Sequence, residues 1–327
     1  MGFEPLGPAR DQAALGGTVP AAKPPPAATV AGRRYDRTTL IFLGPPAILL
    51  VVLLVYPTIY TIALAFNRGR RGEFTEWVGF DNFVALFKDK SFLNLSTFPP
   101  SGAIWNNLLW GVFYTGFVIF LGLVVAVLAS RVRYESLIKA VVFLPMAIAA
   151  TALAIIWNFV YAPDKNIGLL NAIVAPFTNG GLSWLGNTSL VNAALITAGI
   201  WGSVGFATVI LSAALKSIPS EVLEAGRVDG ASERQVFFRI IIPMVSLPIS
   251  VLAVTLIVNV IKLFDLIYVL TNGGPGTASR VIAFTMYQDS IPGGQFGRGA
   301  AIAVIMLVLL VPVMAYNIRR FRSARVT

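Results

Sequence analysis

The residues of this sequence best placed to do chemistry lie between Ile218 and Pro243. Glu221 and Glu224 fall in the first turns of a short helix, where the positive end of the helix dipole favours acids. Ala225 and Gly226 continue that helix, and Asp229-Gly230 makes a turn in which glycine supplies a backbone conformation closed to most residues. Ala231 leads into Ser232 and Gln235, spaced as an S-x-x-Q capping box that starts a second helix. Phe237, Phe238, Ile240 and Ile241 give the second helix an apolar face. A hairpin of this kind offers charge for docking a partner, or it lies on lipid headgroups. The residues by themselves do not choose between the two. Catalysis is a poor fit, because the chain has no Cys and no His. That removes the thiolate nucleophile, the commonest metal ligand and the usual neutral-pH base. A G-x-x-x-x-G-K-[ST] loop is absent too, so the chain cannot itself cradle and hydrolyse ATP.

The elements that must position this loop are dictated by composition. Of the 327 residues 56% are hydrophobic and 12% charged, whereas soluble domains carry roughly 25% charged residues. Such a surface needs lipid as its solvent. Six apolar stretches reach the ~20 residues that cross a bilayer core: Leu40–Phe66, Ile104–Ser130, Ala140–Tyr161, Leu190–Leu215, Pro243–Thr271 and Ala300–Tyr316. Inside lipid every backbone polar group must be paired within its segment, so each is expected to be a helix. Pro45, Pro46, Pro57 and Pro145 are read as tolerated within these helices. Residues 1–37, rich in Pro, Ala and Gly, read as a disordered cytoplasmic tail ahead of a 38–327 membrane domain.

Net charge is +10. Nucleic-acid binding is the rival explanation, but the basic residues sort by loop. Sixteen of the 25 Lys and Arg fall on the side of the two termini, the second loop and the fourth; eight fall on the other side, and Lys262 lies within a helix. The positive-inside rule then places both termini in the cytoplasm.

The segment Glu224-Ala225-Gly226-Arg227-Val228-Asp229-Gly230-Ala231, followed by Ile240-x-Ile242-Pro243, resembles the EAA loop of permease subunits in bacterial ABC importers. The family pattern is E-A-A-x-x-D-G-A and then I-x-L-P. Here Gly226 replaces the second Ala and Ile242 replaces Leu. Gly226 should loosen the first helix by about 1 kcal/mol against Ala. Trp77-Val78-Gly79-Phe80-Asp81-Asn82-Phe83 and Phe264-Asp265-Leu266-Ile267-Tyr268-Val269-Leu270-Thr271-Asn272-Gly273-Gly274-Pro275 are similar to segments of MalF-type sugar permeases. Phe296-Gly297-Arg298-Gly299-Ala300-Ala301 and Asn317-Ile318-Arg319-Arg320-Phe321-Arg322 are similar to α-glucoside permeases in particular.

The resemblance implies an all-α, polytopic membrane protein with six transmembrane helices and the type I ABC importer permease fold. The loop at 217–243 would be its coupling element, with Glu221, Glu224, Ala225, Gly226, Asp229, Gly230 and Ala231 facing the ATPase. The expected partners are a second homologous permease subunit, two ATP-binding subunits and an extracytoplasmic solute-binding protein. ATP and Mg would be held by the ATPase, with no cofactor on this chain, and the site would be the bacterial inner membrane. The implied solute is a disaccharide or α-glucoside, ahead of glycerol phosphate or a glucoside osmolyte. An ion-coupled secondary transporter is the alternative from another class, and Asp265 would be its intramembrane carboxylate. A membrane-embedded enzyme, with no nucleophile–base set, ranks last.

For the solute path, Asn259, Lys262 and Asp265 recur at i, i+3, i+6 on the fifth stretch and share roughly one helix face. They could hydrogen-bond sugar hydroxyls. The simpler expectation is a Lys262–Asp265 ion pair, because an intramembrane Lys needs a partner, with Asn259 satisfied by a backbone carbonyl. On the fourth stretch Trp201 and Phe206 could stack on a sugar ring beside Ser203, while Gly202 and Gly205 allow helices to approach. The positions matching the MalF-type sugar site on the fifth helix, Leu256, Val260 and Leu263, are apolar here.

Overall fold

Lipid leaves no solvent for unpaired backbone groups, which makes helix the default for long apolar stretches. The computed structural model describes residues 37–69, 72–96, 98–178 and 181–323. The tail expected over 1–37 lies outside the described residues, apart from Arg37. Among the described residues there are no extended strands, only isolated bridges such as Asn67–Trp77 and Asn94–Ser101.

The segment up to Leu54 consists of α1 (Arg37–Leu50) and the start of a π-helical turn (Val51–Val55). Pro45 and Pro46 sit inside α1 without ending it, as expected. From Val55 onward the order is α2 (Tyr56–Ala65), α3 (Asp81–Lys88), α4 (Ala103–Leu109), α5 (Thr115–Ala129), α6 (Glu135–Phe143), α7 (Ala150–Val160) and α8 (Leu169–Val174). Then come α9 (Val191–Lys216), α10 (Ser220–Val228), α11 (Glu233–Val236), α12 (Ile242–Met244), α13 (Ser246–Ile261), α14 (Asp265–Leu270), α15 (Ile282–Ser290) and α16 (Phe296–Ser323).

Four helical stretches are long and apolar enough to cross a membrane singly: Ile41–Ala65, Ala103–Ala129, Val191–Lys216 and Phe296–Arg320. Two more spans arise if each bent pair counts as one, which gives up to six. The third expected span is such a pair: Glu135–Ala147 and Ala150–Val160 meet at 101°. The expectation that Pro145 is merely tolerated is therefore wrong. Pro145 sits in a 3-10 turn, Leu144–Ala147, that ends the first half. Without an N–H, and with a ring that crowds the carbonyl four residues back, proline favours a break there.

The fifth expected span, Pro243–Thr271, is not one helix either. Glu233–Met244 meets α13 at 63°, and the chain breaks again after Ile261 before α14 begins at Asp265. The Lys262 N–H closes α13 on the Val258 and Val260 carbonyls. Asn107 supports this break. Its amide donates to the Val260 carbonyl at 2.9 Å, and its Oδ1 accepts from the Ile282 N–H at 2.7 Å.

From Val55 onward the helices pack around two apolar clusters. One joins α5, α7, α9, α13 and α14 through Val118, Leu153, Leu195, Leu211, Leu252 and Leu266. The other joins α2, α3, α15 and α16 through Leu64, Leu86, Ile282 and Ile302. Small residues set the approach of helices, as expected for packing in lipid. A Cβ on Gly205 would lie 2.4 Å from the Val142 carbonyl on α6, and one on Gly122 would lie 2.5 Å from Ala207. The Trp77–Phe83 segment covers the end of α2. Trp77 stacks on Phe66 at 5.7 Å, and the Asn82 amide donates to the Ala65 and Asn67 carbonyls.

Candidate functional site

The loop between α9 and α12 is a compact helical hairpin. Helix α10 closes with a 6→1 bond from the Ala231 N–H to Gly226 and a 5→2 bond from the Gly230 N–H to Arg227. This is the Schellman pattern, which needs a left-handed residue at its C′ position. Gly230 supplies it with φ +82°. The expected capping box is present, with the Ser232 N–H donating to Gln235 Oε1 at 2.8 Å and the Gln235 N–H to Ser232 Oγ at 3.4 Å. Arg227 on α10 pairs with Glu233 on α11 at 2.7 Å.

A Cβ on Gly226 would lie 2.6 Å from Ile240 Cδ1, the far end of a flexible side chain that can turn aside, so the second helix of the hairpin packs over this position with little room to spare. Glu221, Glu224, Ala225 and Asp229 are exposed, and Val228 is 87% exposed beside them. A face combining unshielded acids with a bare valine carries docking chemistry: charge to orient, apolar surface to bury.

The loop is tied mechanically to the body. Lys216, in the last turn of α9, pairs with Glu135 at the start of α6 at 2.8 Å, and Lys139 holds the same carboxylate. Helix α6 then runs to the break at Pro145.

That break forms one wall of a cavity of about 210 Å³ at the middle of α9. Trp110, Tyr114, Pro145, Leu153, Gly202, Ser203, Asn259 and Leu263 are among its lining residues. Ser203 Oγ is hydrogen-bonded to the Tyr114 hydroxyl at 2.8 Å. The Trp110 indole N–H is buried and has no partner, an unmet donor of the kind that calls for an explanation. No charged side chain lines the cavity.

The expected path residues divide on this geometry. Ser203 and Asn259 reach the cavity wall. Trp201 lies beside it, edge-on to Trp157 at 5.9 Å, and Phe206 packs against the apolar cluster. Lys262 and Asp265 do not line it. Their expected ion pair does not form, because the break after Ile261 puts Lys262 at the end of α13 and Asp265 at the start of α14. The shared face of Asn259, Lys262 and Asp265 fails for the same reason. All three side chains are exposed, and Asn259 is not held by a backbone carbonyl among the described residues. Leu256 is buried in the cluster and serves packing alone, while Val260 and Leu263 combine packing with the cavity wall.

Sequence reasoning missed Trp110 and Tyr114. The signal was available as two aromatics with polar tips, four apart, deep in an apolar stretch.

A family model described as "Binding-protein-dependent transport system inner membrane component" matches residues 118–323. The osmoprotective compounds uptake permease protein GgtC of Synechocystis sp. is 44% identical over 287 residues, covering 86% of this chain and 98% of its own. The alpha-glucoside transport system permease protein AglF of Rhizobium meliloti is 38% identical over 284 residues, covering 85% and 81%. Among solved structures, a bacterial ABC transporter involved in the import of the acidic polysaccharide alginate superposes with a TM-score of 0.72 at 24% identity. That match covers 87% of this chain and 96% of the other.

Proposed function

Because the chain belongs to the family of binding-protein-dependent transport system inner membrane components, we propose that it forms half of the pathway of an importer for neutral α-glucosides. It is a non-catalytic permease subunit of an ABC sugar importer, with the all-α fold of that family. Membership disposes of the ion-coupled transporter and the membrane-embedded enzyme.

The observation that carries the solute class is the uncharged wall of the inner cavity. An anion such as glycerol phosphate would find no counter-charge there. The Trp110 donor, the Tyr114–Ser203 pair and the Asn259 amide suit hydroxyls, and the indole offers a stacking face. At about 210 Å³ the cavity is smaller than the ~300–1,000 Å³ of a complete small-molecule site. A second, homologous permease subunit would supply the rest. The likeness to AglF supports an α-glucoside. The likeness to GgtC favours a second reading, a neutral glucoside osmolyte.

The loop acids Glu221, Glu224 and Asp229, with the turn at Gly226, Gly230 and Ala231, would dock one of two ATPase subunits, which hold ATP and Mg. With the loop and both termini in the cytoplasm, closure of the ATPase dimer would shift the α9 and α6 pair and open the cavity outward. Such a shift requires the ATP-bound dimer to prefer the outward state. A solute-binding protein would deliver the sugar at the far end.

The test is the assembled importer in nanodiscs with its binding protein, with ATPase activity measured against trehalose, sucrose, maltose and glycerol phosphate. Stimulation by at least one neutral glucoside and not by glycerol phosphate is expected. Stimulation by glycerol phosphate alone would overturn the solute class.

A further inference from the structure

A second cavity, of about 430 Å³, opens near the end of α9 remote from the coupling hairpin. Its walls include Asn158, Tyr161, Ser183, Leu270, Thr271 and Pro275. Helix α9 rises ~1.5 Å per residue. Tyr161, whose hydroxyl donates to the Ala194 carbonyl at 2.7 Å, therefore lies roughly 30 Å from Lys216 along the helix. The cavity mixes polar and apolar wall, unlike a lipid-facing groove. Asn158 has no hydrogen-bond partner among the described residues and stands free for a ligand.

The site is built rather than incidental. The loop forming one side is pinned by Asn171, fully buried, whose amide donates to the Ala162 and Leu182 carbonyls at 2.8 and 2.9 Å. Its Oδ1 accepts from the Leu182 N–H at 2.8 Å and from the Trp184 indole at 3.2 Å. An aromatic run then leads inward. Trp184 lies 6.1 Å from Tyr161, Tyr161 lies 5.0 Å from Trp157, and Trp157 lies 5.9 Å from Trp201 at the middle of α9. The Trp157 indole N–H is buried without a partner. Both cavities share α7 and α14: Leu153 and Leu266 line the inner one, Asn158 and Leu270 the outer. Leu266 and Leu270 are one helical turn apart, ~6 Å.

We infer that the outer cavity is a second solute subsite, where a neutral sugar is held at Asn158 and Ser183 before it reaches the inner cavity. This rests on the transport reading above. The Asn158 amide and the Ser183 hydroxyl replace hydration of the sugar hydroxyls, and the aromatic run of buried Tyr161 and half-buried Trp157 is the rigid packing behind them.

The absence of cysteine makes the test direct, since an introduced thiol is the one labelled site on this chain, read on its own band after the subunits are separated. Asn158→Cys and, separately, Ser183→Cys are placed in the assembled importer in nanodiscs with its binding protein. Each is reacted with a membrane-impermeant maleimide with and without trehalose, sucrose or maltose. At a sugar concentration about twice the Kd, a shielded thiol reacts about threefold slower by mass action. Protection of either thiol supports the subsite. Equal labelling of both with and without sugar overturns it. ATPase stimulation in the same samples separates the failures: stimulation without protection removes the outer subsite alone, whereas neither stimulation nor protection removes the sugar reading with it.

Discussion

The side-chain amide of Asn107 donates to the Val260 carbonyl across 2.9 Å, at the point where the fifth span breaks. The same side chain accepts from the Ile282 N–H, joining the end of α13 to the start of α15. A helix that stops inside lipid leaves carbonyls that water cannot reach, so the break needs a donor from a neighbouring span. Asn259, just before the break, and Leu263, just after it, both line the inner cavity. Asn107→Ala should therefore cost about 1–3 kcal/mol, because the buried Ile282 N–H loses its acceptor and the Val260 carbonyl loses a donor. It should lower the unfolding midpoint of the purified importer in detergent; an unchanged midpoint would show that the break holds without it.

The fold was largely legible in the sequence because lipid imposes one rule on every long apolar stretch. All-helical structure, the span positions and the α10–α11 hairpin follow from length, capping box and turn glycine. What stayed hidden were the breaks. Pro145 looks like Pro45 and Pro46 in sequence, yet only Pro145 heads a 101° bend; the difference lies in the tertiary setting of α6 against α9 at Gly205. The break after Ile261 has no proline at all and is hydrogen-bonded by Asn107, more than 150 positions away. Once that break is missed, Lys262 and Asp265 look like a pair on one face. The cavity was half visible for the same reason: Ser203 and Asn259 stood out as polar groups in apolar runs, but Trp110 and Tyr114 gain meaning only from what packs beside them.

Within the inner cavity, Ser203→Ala frees the Tyr114 hydroxyl, and Asn259→Ala removes an amide from the wall. Each loss of one hydrogen bond to the solute should weaken binding by about 1 kcal/mol, roughly fivefold. Transport assays on the reconstituted importer should show this as a higher KM. Lys262→Met, remote from the wall, should change KM far less; a larger effect from Lys262→Met would move the path to the exposed face.

Arg298 at the start of α16 pairs with Asp289 at 2.7 Å and also with Asp89. Burial pushes the Asp289 carboxyl above the usual carboxylate range, against the opposing pull of Arg298. Burial also pushes Asp89 upward, but hydrogen bonds from Ser91 and Arg298 outweigh it and hold Asp89 below that range. The signs differ. Asp289, with a raised folded pKa, adds stability as pH falls through that value; Asp89, with a lowered one, contributes above the ordinary carboxylate pKa of ~3.9 and loses it below. Between pH 7 and pH 4, wild type should therefore gain on Asp289→Asn, while its margin over Asp89→Asn holds until about pH 4. Thermal unfolding across that range reads both slopes, and parallel slopes for the two variants would contradict the assignment.

The Glu135–Lys216 pair should matter to coupling more than to stability. Lys216 lies in the last turn of α9 and Glu135 at the start of α6, and Lys139 is left to hold Glu135 when Lys216 is replaced. Lys216→Met should cost under about 1 kcal/mol yet reduce sugar transported per ATP hydrolysed. Unaltered stoichiometry would remove the link from α9 to α6.

On the proposed function, this chain turns ATP hydrolysis elsewhere into sugar movement through the hairpin at Glu224–Ala231. The most direct measurement is sugar-stimulated ATPase activity and uptake by the reconstituted importer carrying Glu224→Lys with Asp229→Lys, with membrane insertion of the chain checked in parallel. The account predicts a normally inserted subunit with stimulation and uptake abolished. Full stimulation and uptake with both loop acids reversed would contradict it.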